Sequence, residues 1–270
     1  MSEALDHDRI LAVALGAARG AGEILLSKLG ALDPSKIGSK SAARDLVTEA
    51  DVASERHLVE RLRSAFPDHT IESEEEVCDA DDGAPRWFLD PLDGTVNFVH
   101  RLPLFAVSMG LFVNGRPEVA VVHAPRLGET FHAVRGQGAW LDEAGHPPQR
   151  MGVRPTTELG DAVLATGFPY RRHELPNNNL GNFSALFNHV RGMRRMGAAA
   201  LDLAYVAAGR LDGFWELHLS PHDVAAGALL VSEAGGEVTD FSGEQNWLRG
   251  GDIIAAGAEL HGQIADAVRK

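Results

Sequence analysis

Two apolar runs that meet at Asn114-Gly115 constrain this fold more than any other feature. "FAVSMGLFV" precedes the pair and "RPEVAVVHAP" follows it, and Asn-Gly is the dipeptide that a tight turn between antiparallel strands favours. A chain committed to this hairpin must also cover its faces. With 270 residues and 44% hydrophobic content it has enough apolar side chain for one large or two closely joined units. Helical spacing of Ile10, Val13, Ala14, Ala17 and Ala21 predicts a helix over residues 6–29, amphipathic rather than membrane-spanning because Arg19 and Glu23 interrupt it. Residues 30–44 read as a polar loop and residues 48–66 as a second helix. "GETFHAVRGQGAWL" adds strands to the meander.

From "AVLATGF" onward, strand and helix alternate. A helix is expected near residues 182–194, then the strand "GFWEL", the helix "PHDVAAGALLVSEAGG", the strands "EVTDF" and "DIIAAG", and a terminal helix. The expected class is a layered α/β or α+β chain. Residues 1–150 form a half with the antiparallel sheet, residues 151–270 a second α/β half, and the two make one compact unit.

The stretch "RWFLDPLDGTVNFVH" carries the chemistry. A short apolar strand delivers Asp90 to its carboxyl end, Pro91 stiffens the turn and removes an amide, and Asp93 returns to the same space. Gly94 permits close backbone approach, and a helix starting at Thr95 would offer amides to a phosphate. Ordinary turn chemistry explains the same letters, since Asp, Pro and Gly are turn residues. Carboxylate oxygens also suit Mg²⁺, which shares its shell with water and phosphate. Further carboxylates sit in "TEAD" (Asp51), "ESEEE" (Glu74, Glu75) and "SPHD" (Asp223). Thr48-x-x-Asp51 and Ser220-x-x-Asp223 match helix caps, the second strengthened by Pro221. Capping and metal ligation are compatible, because a carboxylate has two oxygens.

Charge adds a constraint. Lys and Arg total 25 against 38 Asp and Glu, a net −13, which argues against direct nucleic-acid binding and repels phosphorylated small molecules. An acidic protein that handles phosphate needs cations to invert its local field. No signal peptide is visible in "MSEALDHDRI", and the single Cys78 excludes an internal disulfide, so a cytoplasmic location is expected. The twelve histidines lack metal-type spacing. No Walker loop, dinucleotide fingerprint or Gly-x-Ser-x-Gly elbow is present.

Seven segments, "DLVTEAD", "SEEE", "WFLDPLDGTVNFVH", "LPLFAVSMGL", "TGFPY", "GAAALDLAYVAAGRLDGFWE" and "SPHDVAAGALLVSEAGG", stand in the order found in inositol monophosphatases. The chain resembles that family from residue 40 to residue 236. The resemblance implies an α-β-α-β-α sandwich and a cytoplasmic, Mg²⁺-dependent, Li⁺-sensitive phosphomonoesterase, commonly a homodimer, with two or three Mg²⁺ per site. By it, Glu74, Asp90 and the Leu92 carbonyl correspond to ligands of a first metal, and Asp90, Asp93 and Asp223 to ligands of a second. A third, weaker metal falls near Glu74 and Glu75. Asp51 and Thr95, together with Glu74, correspond to the residues that activate the attacking water. Gly94 and Thr95 match the phosphate-binding amides, and Asp93, Ala199 and Glu216 the contacts to the alcohol. Lys40 falls on the matching loop. The implied substrate is inositol monophosphate or a similar small alcohol or sugar phosphate, with histidinol phosphate as an alternative.

This sequence departs from the family pattern at His222, where many relatives carry Trp, at Glu76, and in the polar segment 171–179. These departures bear on the alcohol pocket. The resemblance also implies a second class of role, since some bacterial relatives act through a macromolecular partner in transcription complexes.

Overall fold

A computed structural model describes residues 5–31, 38–39 and 46–268; Lys40 and most of the expected loop 30–44 lie outside them. Helix α1 (His7–Lys28) starts where the Asp6 carboxylate accepts the Arg9 amide at 3.0 Å. Its Ala and Gly residues form a thin apolar face, with Ala14, Ala17, Ala18 and Ala21 fully buried. By length and mean hydropathy (1.5 over an 18-residue window) α1 could cross a membrane, the one helix among the described residues that passes this test. Here that face packs against α2 (Glu49–Ala65) and the large sheet.

Strands β1 (Gly38–Ser39) and β2 (Leu46–Val47) form a small antiparallel pair before α2. The seven-stranded sheet then runs β3 (Thr70–Ser73), β4 (Arg86–Asp93), β5 (Ala106–Val113), β6 (Arg116–Ala124), β7 (Glu129–Val134), β8 (Ala139–Glu143) and β9 (Gln149–Arg150) in sequence order. Only β3 and β4 pair in parallel. The Asn114-Gly115 hairpin forms as expected, both residues at positive φ (52° and 73°). The five-residue helix α3 (Thr95–Val99) follows β4 directly.

The second sheet comprises β10 (Val163–Thr166), β11 (Gly192–Arg194), β12 (Gly213–Leu217), β13 (Glu237–Thr239) and β14 (Asp252–Ala256), in the order β11-β10-β12-β14-β13. Between them run α4 (Leu180–Phe187), α5 (Ala199–Ala207), α6 (Pro221–Glu233) and the short α7 (Trp247–Gly250); α8 (Ala258–Val268) follows β14. The helix expected to reach residue 194 ends at Phe187, and Gly192–Arg194 instead pairs in parallel with β10. A three-residue edge strand has no periodicity to separate it from the tail of the preceding helix.

Side-chain alternation builds the layers. Trp87, Leu89, Met109, Leu111, Val119 and Val121 face α1 and α2, whereas Phe88, Phe112, Ala120 and Val122 face α5 and α6. On the second sheet Ala165, Phe214, Ile253 and Ala255 meet the same two helices, and Leu164, Trp215, Ile254 and Ala256 meet the outer helix α8. The result is an α-β-α-β-α sandwich.

Candidate active site

The acidic motif is not the turn that the sequence implied. Pairing of β4 with β5 continues to Asp93 through an irregularity between Asp90 and Asp93. Pro91 has no amide to give to the ladder, so the strand bulges there. The Asp90 Oδ1 accepts the Leu92 amide at 2.9 Å, and Ser54 of α2 clamps the Pro91 carbonyl at 2.8 Å. The bulge thereby carries both aspartates onto one rim.

Gly94 ends the bulge at φ 86°. A Cβ there would stand 2.9 Å from the Leu104 carbonyl and 3.2 Å from Ala198 Cβ, so both conformation and space require glycine. The Asn97 side-chain amide fixes the same region by donating to the carbonyls of Leu104 (2.6 Å) and Met196 (2.8 Å). Thr95 is thus delivered, buried, beside fully buried Asp51.

Asp51 shows how one carboxylate caps and serves the site at once. Its Oδ2 accepts the Thr48 amide at 2.9 Å and the Thr48 hydroxyl at 2.6 Å, forming the expected capping box. Its Oδ1 lies 3.1 Å from the Thr95 hydroxyl, which is also 3.1 Å from the Leu92 carbonyl. Asp223 likewise accepts the Ser220 amide, at 2.6 Å, at the start of α6.

Asp93 ties the first sheet to the start of α5. Its Oδ1 accepts the Ala199 amide at 3.1 Å, and its Oδ2 accepts those of Ala200 (2.9 Å) and Leu201 (3.3 Å) at the start of α5. A negative charge is favoured at that helix terminus. Ala199, expected to face the alcohol, therefore spends its amide on Asp93.

One cavity of about 390 Å³ is lined by Glu74, Asp90, Asp93 and Asp223, with Leu92, Gly94, Thr95, Ala199 and Glu216 on the same wall. Asp51 stands behind it, reached through Thr95. His222 and Arg171, among the departures noted in the sequence, line it as well. Glu75 is not among the lining residues; its amide and that of Glu76 donate to the Glu55 carboxylate at 3.1 and 3.0 Å. Sequence reasoning passed over Glu55, because its place four residues after Asp51 on the same helix face says nothing of the amides it holds. It also passed over Ser54, Asn97 and Arg195, the last of which lines the cavity.

Electrostatics set the character of the cavity. Burial, then the charges of Glu74, Asp93 and Asp223, push the Asp90 carboxyl well above the usual carboxylate range, against the Leu92 amide. Asp93 is pushed up to about 8 by burial and Asp223, despite its amide partners, and Glu216 to about 8 mainly by burial. Repulsive buried carboxylates are the condition that a dication relieves. Among the described residues no three His, Cys, Asp or Glu side chains lie close enough together to hold a metal ion as they stand. The carboxylates instead line one cavity with room between them, which suits Mg²⁺, a hard cation that keeps water and phosphate in its shell. The residues fit such an ion.

These shifts have a sign. Carboxyls whose folded pKa is raised stabilise the fold fully below their unfolded pKa and lose that contribution as pH rises through the folded value. In chelator, the melting temperature is expected to fall between about pH 6.5 and the pKa of about 8 at Asp93 and Glu216. Below that window the partly buried His69, His123 and His132, whose pKa values burial lowers, add an opposing rise. Added Mg²⁺ should raise it more at pH 8.5 than at pH 5.5, because protons compete for the ligands. Thermal melts in buffers across that range check this, and a melting temperature that climbs with pH in chelator would contradict it.

The five layers, with an acid-lined cleft where the β4 bulge meets the starts of α5 and α6, define an α+β sandwich of the inositol monophosphatase type. A model of the inositol monophosphatase family matches residues 6–270, and the chain belongs to that family. It is 41% identical to "Nus factor SuhB" of Escherichia coli (strain K12) over 97% of this chain and 99% of that one. The crystal structure of extragenic suppressor protein suhB from Bartonella henselae superimposes with a TM-score of 0.88 at 38% identity, covering 97% of this chain and 98% of the other. The inositol monophosphatase from Anabaena (Nostoc) sp. PCC 7120 gives 0.86 at 38% identity, covering 98% and 96%.

Proposed function

We propose that the protein is a Mg²⁺-dependent phosphomonoesterase that hydrolyses inositol monophosphate or a similar small alcohol or sugar phosphate. One observation carries this reading: four carboxylates, Glu74, Asp90, Asp93 and Asp223, share a cavity with a Thr95 hydroxyl backed by Asp51. Glu74, Asp90, the Leu92 carbonyl, Asp93 and Asp223 would hold two cations, with a third near Glu74 and Glu75. Bound Mg²⁺ supplies charge neutralisation at the phosphate and acidifies water for attack. Thr95 Oγ1 can pass its own proton toward Asp51 Oδ1 and accept one from the attacking water, since the two oxygens are 3.1 Å apart. The Gly94 and Thr95 amides position the phosphate, and Asp93 and Glu216 the alcohol, with Ala199 on the same cavity wall holding Asp93 through its amide.

Phosphate release from a panel of monoesters, with and without Mg²⁺ and Li⁺, tests this reading. Inositol, histidinol, sugar and 3′-phosphoadenosine phosphates separate the substrates. Equal turnover in chelator would overturn the mechanism. Glu55→Gln provides a finer check, because it keeps the size of the group that holds the Glu75 and Glu76 amides but weakens their acceptor. The Mg²⁺ concentration for half-maximal activity is expected to rise about 10- to 100-fold, read by titrating the metal at saturating substrate.

A second reading has its own support: a relative 41% identical over nearly the whole chain is named a Nus factor. By this reading the fold acts through a macromolecular partner, whatever its catalysis. An Asp90→Asn protein that restores the cellular phenotype of a deletion strain would place binding above hydrolysis; one that fails, while the wild type succeeds, favours the enzyme.

A further inference from the structure

Glu74 rides on the edge of the first sheet. Strand β3, which leads into it, is four residues long, and its outer flank is met by its own chain turning back through Val77 and Asp79 rather than by another strand. Two devices hold this edge. Glu55 of α2 accepts the Glu75 and Glu76 amides. The second device comes from α7, in the other half of the chain. Arg249 sets Nη1 2.7 Å from Glu72 Oε1 and Nη2 2.7 Å from Glu72 Oε2, a two-pronged fork. Arg86 closes the cluster by donating to Glu72 Oε2 from Nε (3.1 Å) and Nη2 (3.0 Å). The Arg249 guanidinium lies over the Phe88 ring, 5.2 Å from its centroid, and Trp247 meets Phe112 edge-on. α7 is thereby seated on the first sheet.

The far end of α7 runs into the carrier of Asp223. The Gly251 carbonyl accepts the Leu219 amide at 2.9 Å, and β14 pairs Asp252 with Leu217 of β12. Ser220 follows at once and gives its amide to Asp223. A path of contacts thus joins Glu74 to Asp223 through Glu72, Arg249, Gly251 and Leu219. It runs behind the cavity, since neither Glu72 nor Arg249 is among the lining residues.

We propose that Glu72 and Arg249 are positioning residues for the cations: their ion pair fixes the separation of Glu74 and Asp223 across the cleft and so sets the affinity for Mg²⁺. The claim rests on the metal-holding part of the phosphomonoesterase reading. A lone ion pair at a surface contributes little, but a fork that shares its carboxylate with a second arginine is the geometry in which such pairs count. Glu74 and Asp223 stand on different halves of the chain, and like charges drive their carriers apart until a cation arrives. The fork opposes that drift from behind.

Calorimetric titration of the full chain with Mg²⁺, in the absence of any phosphate ester, reads the affinity without turnover. Arg249→Gln and Glu72→Gln are each expected to raise Kd about 5- to 10-fold. The double variant should lose no more than either single one, because both remove the same contact. Arg249→Lys keeps the charge without the fork and should fall between wild type and Arg249→Gln. In Arg249→Gln the Glu72 carboxylate still has Arg86, so no buried charge is left bare. Arg135→Gln breaks the ion pair with Glu118, neither residue of which lines the cavity, and serves as the control for general loosening. It should leave Kd unchanged whatever it does to the melting temperature. An unchanged Kd in Arg249→Gln and Glu72→Gln, additive losses in the double variant, or an equal loss in Arg135→Gln would overturn the positioning role and leave the metal site standing. A wild type that takes up no Mg²⁺ would overturn the metal reading, and this proposal with it.

Discussion

Phosphate release by Asp93→Asn is expected to fall at least about 10³-fold. Asp93 holds two positions at once. Its charge belongs to the group that would gather cations, and its oxygens accept three amides at the start of α5. Asn keeps one acceptor oxygen and turns an NH₂ donor toward an N–H donor. Losing an acceptor there costs roughly 1–3 kcal/mol. Removing a carboxylate that burial and Asp223 push up to about 8 offsets part of that loss. Activity should therefore collapse while the melting temperature moves little. Initial rates and thermal melts on the same preparation check both halves; full turnover, or the same residual rate with and without Mg²⁺, would remove Asp93 from the metal-holding role.

Thr95→Ala is expected to lower kcat by about 10²- to 10⁴-fold, the range for losing a positioned proton acceptor. The hydroxyl touches both Asp51 Oδ1 and the Leu92 carbonyl, each at 3.1 Å. Removing it leaves the carboxylates of the cavity in place, so the Mg²⁺ requirement should persist and KM should change less than kcat. Thr95→Ser restores the oxygen without the methyl and should recover most of the rate. If Thr95→Ala and Thr95→Ser fall equally, the hydroxyl is not the working atom and the methyl or the backbone start of α3 is.

Much of this was legible in the sequence, for reasons that differ by element. The Asn114-Gly115 hairpin, α1 and the capping boxes rest on local chemistry, where neighbours in sequence are neighbours in space. The aspartates of "DPLD" were located, but their setting was misread: a turn and a bulge use the same residues, and only the partner strand β5 tells them apart. β11 was hidden because its pairing with β10 joins segments nearly thirty residues apart. Glu55 escaped because its purpose is to hold backbone amides of another element, which no spacing within α2 reveals. Arg195 escaped for a related reason. A lone arginine on a polar loop reads as solvated until the fold shows what faces it.

The grip of Asp93 on the start of α5 also makes the cleft a sensor of how well the two sheets are registered. The side chain is anchored in the bulge of one sheet and tethered to a helix that buttresses the other. A slip of even an ångström between the halves would drag that carboxyl away from Asp90 before any strand came undone. Chain damage remote from the cleft, if it loosens that interlock, would thus silence the cleft first and melt the protein later.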